Sequence, residues 1–273
     1  MVLLMKTNTT NELQQLKDKT FILTLTLPLS EITATRQSVL KSLQAEFETK
    51  GFREGKAPLD VVTANISESK LIEEVVSQLL SATYSQKIKE YHLQPVIQPQ
   101  VKITNPPVTF DKDWQVEITA CELPQITLNS NYIDNIKTIN QSQADDNEKL
   151  NQTIESLIKN GQVELPNILI KADIDNKMSQ LIDQTQQAGL TINQYLKSKN
   201  LTLEQYQQNL EKQIKSEWIT NLAIDLIARE QKLTISDSEV KAVTEKNPQL
   251  AKNINMVYYL LTQQKVFDYL KKL

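Results

Sequence analysis

Four glycines serve all 273 residues of this chain: Gly51, Gly55, Gly161 and Gly189. Glycine supplies the positive φ angles that tight β-turns demand, so a chain this poor in it has little capacity for a domain built of hairpins. Gly161 and Gly189 stand where helical patterns end. Gly51 and Gly55 share one octapeptide, Gly51-Phe52-Arg53-Glu54-Gly55-Lys56-Ala57-Pro58, between two amphipathic segments. The rest of the chain must be carried by helices and a few strands.

The periodicities sort into two halves. Phe21, Leu23, Leu25 and Leu27 alternate with polar residues and predict a half-buried strand over 21–27. Ser30 is placed to cap a helix running to about Lys50, in which Ile32, Val39, Leu43 and Phe47 recur near helical spacing. After the octapeptide, a short helix is expected from Pro58 to about Ile66. A longer one follows over roughly 68–91, with Leu71, Ile72, Val75, Val76, Leu79 and Leu80 as its stripe. Strands return near 96–103 and 114–122, with Pro106 and Pro107 marking the turn between them. Residues 126–128 extend the last strand or begin a linker. From Tyr132 onward the pattern is helical. Asp145 or Asp146 starts a helix ending near Gly161, Pro166 opens one ending at Gly189, and Thr202 caps the longest, 203–231. Ser236 opens a short helix, and Met256–Leu270 forms the last. The predicted class is α+β: an N-terminal domain, 1–128, of a small antiparallel sheet with helices on one face, then an all-α domain, 129–273.

Little here suggests catalysis. His92 is the only histidine and Cys121 the only cysteine, which leaves no intramolecular disulfide and no zinc spacing. Cys121 lies in the strand pattern as a small buried hydrophobe. Glu73-Glu74 and Asp145-Asp146 are adjacent pairs, which on a helix do not face each other. Trp218 falls on the long-helix stripe as a packing residue. No phosphate loop is present, and the expectation is no catalytic residue, no cofactor and no metal. The run Met1–Lys6 is too short for a signal peptide, and no stretch of 18 apolar residues exists, so cytoplasm is expected, with no membrane and no DNA as partner. A net charge of −3 gives no global attraction to nucleic acid, so any such contact must be local.

The octapeptide supplies such a contact. Its glycines let the backbone turn sharply, and Pro58 suits the first turn of the next helix. Phe52, Arg53 and Lys56 are then held at a loop tip, a combination suited to a surface with apolar and anionic character, such as a ribonucleoprotein. The same residues also suit an ordinary helix–helix connection.

Gly-Phe-Arg-x-Gly-Lys-x-Pro between two helices after a strand resembles the ribosome-binding loop of trigger factor, the bacterial chaperone of the ribosomal exit tunnel. Phe21–Pro28 is similar to that family's first strand. Leu93-Gln94-Pro95-Val96 with Gln98-Pro99 is similar to the segment entering its later strands. Glu164–Asn167, Gly189–Thr191 and Tyr195-Leu196 resemble parts of its C-terminal domain. The resemblance implies a ribosome-associated chaperone. Its site would be Gly51, Phe52, Arg53, Glu54, Gly55, Lys56 and Pro58. Its partners would be the large ribosomal subunit near the tunnel exit, both protein and RNA, and unfolded or nascent polypeptides. It would be a monomer or a weak dimer. One departure is Glu54, where many members place a second cation.

Typical members also carry a peptidyl-prolyl isomerase domain between the two parts. Here about forty residues separate Ile126 from Pro166, below the ~50 of an ordinary domain, and no glycine remains for its turns. The isomerase domain, and with it the catalytic activity, is expected to be absent. The rival readings are an extracytoplasmic holdase of the SurA or PrsA type and a ribosome partner that holds no clients.

Overall fold

The computed structural model describes residues 12–49 and 51–273, so Met1–Lys6 and the expected helix end at Lys50 lie outside the described residues. The chain divides into two compact units between Leu123 and Pro124. No described helix is long and apolar enough to cross a membrane.

The first unit is built on β1 (Leu13–Gln15), β2 (Thr20–Leu27), β3 (Gln100–Ile103) and β4 (Trp114–Cys121), in an antiparallel sheet of order β1-β2-β4-β3. The register pairs Leu23 with Ile118, Leu25 with Val116 and Leu27 with Trp114, so one face is continuously apolar. Helices α1 (Leu29–Glu46) and α3 (Glu68–Glu90) cover that face, burying Ile32, Val39 and Leu40 from one and Leu71, Val75 and Leu80 from the other. The short α2 (Leu59–Asn65) lies between them in sequence. Trp114 is fully buried, donates its indole N–H to the Thr109 carbonyl at 2.7 Å, and meets Phe110 with ring centroids 5.5 Å apart. The Arg36 guanidinium covers the other ring at 4.7 Å from the Phe110 centroid.

Three local expectations are corrected. Ser30 does not cap α1. Pro28 holds the cap position, and the Leu29 N–H is satisfied instead by Asp113 Oδ1 at 2.8 Å, from the far end of the β3–β4 connection. Helix α1 stops at Glu46 because Phe47 turns extended. The strand expected from 96 begins only at Gln100, since Pro95 and Pro99 have no N–H to donate to a ladder. Pro95 makes an isolated bridge to Glu122 instead.

The second unit comprises β5 (Thr127–Leu128), α4 (Asn131–Gln141), α5 (Asp146–Asn160), β6 (Gly161–Gln162), α6 (Asn167–Gln187), α7 (Ile192–Ser198), α8 (Leu203–Glu230), α9 (Asp237–Lys246), a 3-10 turn (Leu250–Lys252) and α10 (Ile254–Leu270). Helix α8 organises it. Leu222, Ala223, Ile224 and Ile227 pack with Ile136, Leu157, Val266 and Leu270, while Leu210 and Ile214 meet Ile170 in a smaller cluster. Thr191, Thr202 and Ser236 each cap a helix in a reciprocal box with Gln194, Gln205 and Glu239. Ile182 in α6 and Leu203 at the start of α8 are exposed.

The unit is helical apart from one two-residue ribbon. Thr127 pairs with Gln162 and Leu128 with Gly161, so residues 126–128 belong to the second unit and the expected border after 128 falls inside it. Gly161 serves this ribbon through its size. Its φ is an ordinary −78°, but an added Cβ would lie 2.8 Å from Ile219 Cγ2 and 3.0 Å from Ile126 Cδ1. Gly161→Ala should therefore destabilise the second unit by about 1–3 kcal/mol through overpacking. Chemical denaturation checks this, and an unchanged midpoint would show that Ile219 and Ile126 yield freely.

Glu239 predicts a pH dependence. Lys265 and the Ser236 backbone hydrogen-bond its carboxylate and hold its pKa down to about 2. A carboxylate depressed in the folded state stabilises above its ordinary range and loses that contribution as pH falls toward its folded value. Between about pH 4.5 and about 2 the α9 cap should therefore weaken. An NMR titration of the Glu239 carboxyl carbon reads this directly.

Candidate functional site

The octapeptide folds as two reverse turns in succession. In the first, Phe52 donates its N–H to the Thr49 carbonyl at 3.1 Å, with Gly51 in third position at φ +96°. In the second, Lys56 donates to the Arg53 carbonyl at 3.0 Å, with Gly55 in third position at φ +70°. A side chain at either glycine would be strained. Gly55 also has no room, since a Cβ would approach the Ala45 carbonyl oxygen to 3.1 Å.

The base of the loop is closed from inside. The Gly55 N–H reaches the Phe47 carbonyl at 3.2 Å, and the Gln44 side-chain amide donates to the Ala57 carbonyl at 2.6 Å. Ala57 is fully buried and acts as the loop's anchor. Pro58 follows at the cap position of α2, one residue ahead of the first turn in which it was expected. Gln44, Phe47 and Ala57 carry no signal in the sequence that marks them as loop-builders.

The remaining side chains point outward. Phe52 is 40% exposed, and Arg53, Glu54 and Lys56 are exposed as well. Among the described residues none makes a hydrogen bond or ion pair to the side chain of Arg53, Glu54 or Lys56. The structure thus brings together an aromatic ring, two cations and one anion on a frame that does not use them. The chemistry of these side chains suits a mixed apolar and charged surface.

The other candidates lie elsewhere in the fold. His92 is exposed at φ +52°, just past the end of α3. Cys121 is buried, and burial pushes its thiol up to about 11, which makes it a poor nucleophile. Asp145 caps α5 through the Glu148 N–H, and Asp146 faces Lys271 at 3.5 Å. Trp218 donates to Asp173 Oδ2 at 2.6 Å and packs between α6 and α8. Among the described residues no group of three or more His, Cys, Asp or Glu side chains could hold a metal.

A four-stranded sheet covered by helices and bearing an exposed turn-built loop, followed by a helical unit, defines an α+β protein. Residues 7–157 match the family model of bacterial trigger factor protein, and residues 131–272 match that of the bacterial trigger factor C-terminus. The chain belongs to the trigger factor family. It is 26% identical over 135 residues to the trigger factor of Bdellovibrio bacteriovorus, covering 50% of this chain and 30% of that one. It is 28% identical over 107 residues to that of Staphylococcus epidermidis, covering 39% and 24%. The matched stretch thus spans about a quarter to a third of these relatives' length. A solved trigger factor chaperone, described for promiscuous substrate recognition in folding and assembly, shares the fold with a TM-score of 0.61 at 12% identity, over 96% of this chain and 99% of its own.

The two family models overlap at 131–157, and that stretch forms α4 and α5, whose Tyr132, Ile136 and Leu157 are buried in the core of the second unit. No isomerase domain separates the two parts in this chain.

Proposed function

We propose that this protein is a ribosome-associated chaperone of the cytoplasm that docks through Gly51–Pro58 on the large subunit near the tunnel exit. Its helical unit holds unfolded or nascent polypeptide, and no isomerase step takes part. The observation that carries this reading is the outward set of Phe52, Arg53 and Lys56 on a loop closed by backbone hydrogen bonds. Arg53 is suited to a bidentate pair with phosphate or carboxylate, Lys56 acts as a point charge, and Phe52 fills an apolar pocket. Holding requires accessible apolar surface. Ile254, Met256, Tyr258, Tyr259 and Leu260 at the start of α10 supply it. At ~25 cal/mol per Å², a few such side chains give weak, reversible binding.

Co-sedimentation with large subunits, paired with aggregation of an unfolded client, tests the reading. The protein should co-sediment in a salt-sensitive way and suppress aggregation at near-stoichiometric ratios. It should leave proline-limited refolding at its spontaneous rate, tens to hundreds of seconds. A refolding rate that rises with catalytic amounts of protein would sink the non-catalytic part, and normal aggregation in excess protein would sink the holding part. Glu54 opposes an anionic partner, so Glu54→Lys should tighten docking and steepen its salt dependence. Weaker binding by that variant would mean that Glu54 meets a basic group.

A further inference from the structure

Among the described residues, the apolar face of the first unit's sheet is not fully covered. Helices α1 and α3 lie over β2 and β4, but at the β3 edge a groove of about 450 Å³ stays open between α3 and the strand. Ile72, Val76, Leu80 and Tyr84 form its helical wall, and Val101 and Ile103 its floor. Val101 is 43% exposed. The Tyr84 hydroxyl oxygen is buried yet has no hydrogen-bond partner among the described residues.

The backbone of β3 adds a second, independent match. It is an edge strand. Thr104 donates its N–H inward to the Gln115 carbonyl at 2.8 Å, so the antiparallel alternation turns the N–H and C=O groups of Val101 and Ile103 outward. The two residues whose side chains floor the groove therefore also offer the strand's free backbone groups. An extended chain laid along this edge can pair with both while placing alternate side chains in the groove.

We propose that this groove binds an extended apolar polypeptide segment by adding it to β3, with a basic residue at one end of the segment. The inference rests on the polypeptide-holding reading above and gives it a second site, on the first unit. The charge preference comes from Glu73, the one charged residue of the groove lining among the described residues. A second copy of this chain fits less well. Symmetric pairing of β3 edges through Val101 and Ile103 would set Lys102 against Lys102, and a strand of four residues offers far less than the roughly 1,200 Å² of a stable interface. Lys102 and the flanking prolines blunt the edge against aggregation and limit any pairing to a short, reversible one.

Fluorescence anisotropy on the full chain tests this. The probes are a labelled decapeptide alternating Leu and Ser and ending in two lysines, and its twin ending in two aspartates. The wild type should prefer the lysine-ended peptide. Val101→Asp should weaken binding by about tenfold or more, since it sets a charge in an apolar floor. Glu73→Lys, an exposed substitution, should invert the preference between the two peptides, and it keeps the test decisive should Val101→Asp fail to fold. Unchanged affinities in these variants would overturn the proposal. So would a Val101→Asp variant that turns a dimer into monomers without altering peptide binding, which would give the edge to a second copy. A wild type that suppresses aggregation but ignores both peptides would remove this groove alone. One that does neither would remove the chaperone reading as well.

Discussion

Replacing Phe52, Arg53 and Lys56 together by alanine should cut affinity for large ribosomal subunits by at least about a hundredfold, a loss of roughly 3 kcal/mol or more. Arg53 alone accounts for about 1.5–3 kcal/mol if its contact is charge-assisted. Phe52 adds about 1.5–3 kcal/mol if its ring becomes buried, and Lys56 up to about 1 kcal/mol. The fold should survive, because the loop is closed by Phe47, Gln44, Gly55 and the buried Ala57, none of which is changed. Circular dichroism and thermal melting should match the wild type. A triple variant that sediments with ribosomes as the wild type does would show that the octapeptide is only a helix connection.

Trp114→Ala should have the opposite character, a large loss of stability with no change at the loop itself. Trp114 is wholly buried in the core of the first unit. Its removal leaves a cavity, frees the Thr109 carbonyl and unseats Phe110 beneath Arg36. The cost should be about 3–5 kcal/mol. Against a typical 5–15 kcal/mol for a whole domain, this should unfold the first unit well before the second. Denaturant titration followed by separate probes in each unit would show the transitions part. A loss below about 1.5 kcal/mol would mean that the indole is replaceable by local collapse.

Both predictions draw on features that differ in how far the sequence discloses them. The strand at Thr20–Leu27 is legible because its period is two and its whole buried face is apolar. The boxes at Thr202 and Ser236 are legible because donor and acceptor lie three residues apart. Ser30 offers a similar local cue and misleads, because Asp113, 84 positions away, reaches the Leu29 N–H first. β1 is invisible for a related reason. Leu13-Gln14-Gln15 has no strand pattern of its own and is ordered by pairing with β2. In the loop, the glycines and the outward residues can be read directly. The Gln44–Ala57 clasp cannot, since an amide and a small apolar residue look alike in many settings. The β3 groove is hidden for the same reason, because Val101 reads as core until the end of the helical cover is known.

The loop's construction has an evolutionary corollary. Its shape depends on main-chain hydrogen bonds, two positive-φ glycines and one buried alanine, while the side chains at positions 52, 53, 54 and 56 make none of its hydrogen bonds. Those four positions can therefore vary at little structural cost, and the tip behaves as an exchangeable cartridge. A lineage whose docking partner drifts in charge can follow it by single substitutions, without refolding the domain that carries them. On the docking proposed above, Glu54 reads as a setting matched to one particular ribosome, and exchanging the four residues between relatives should move ribosome preference with them.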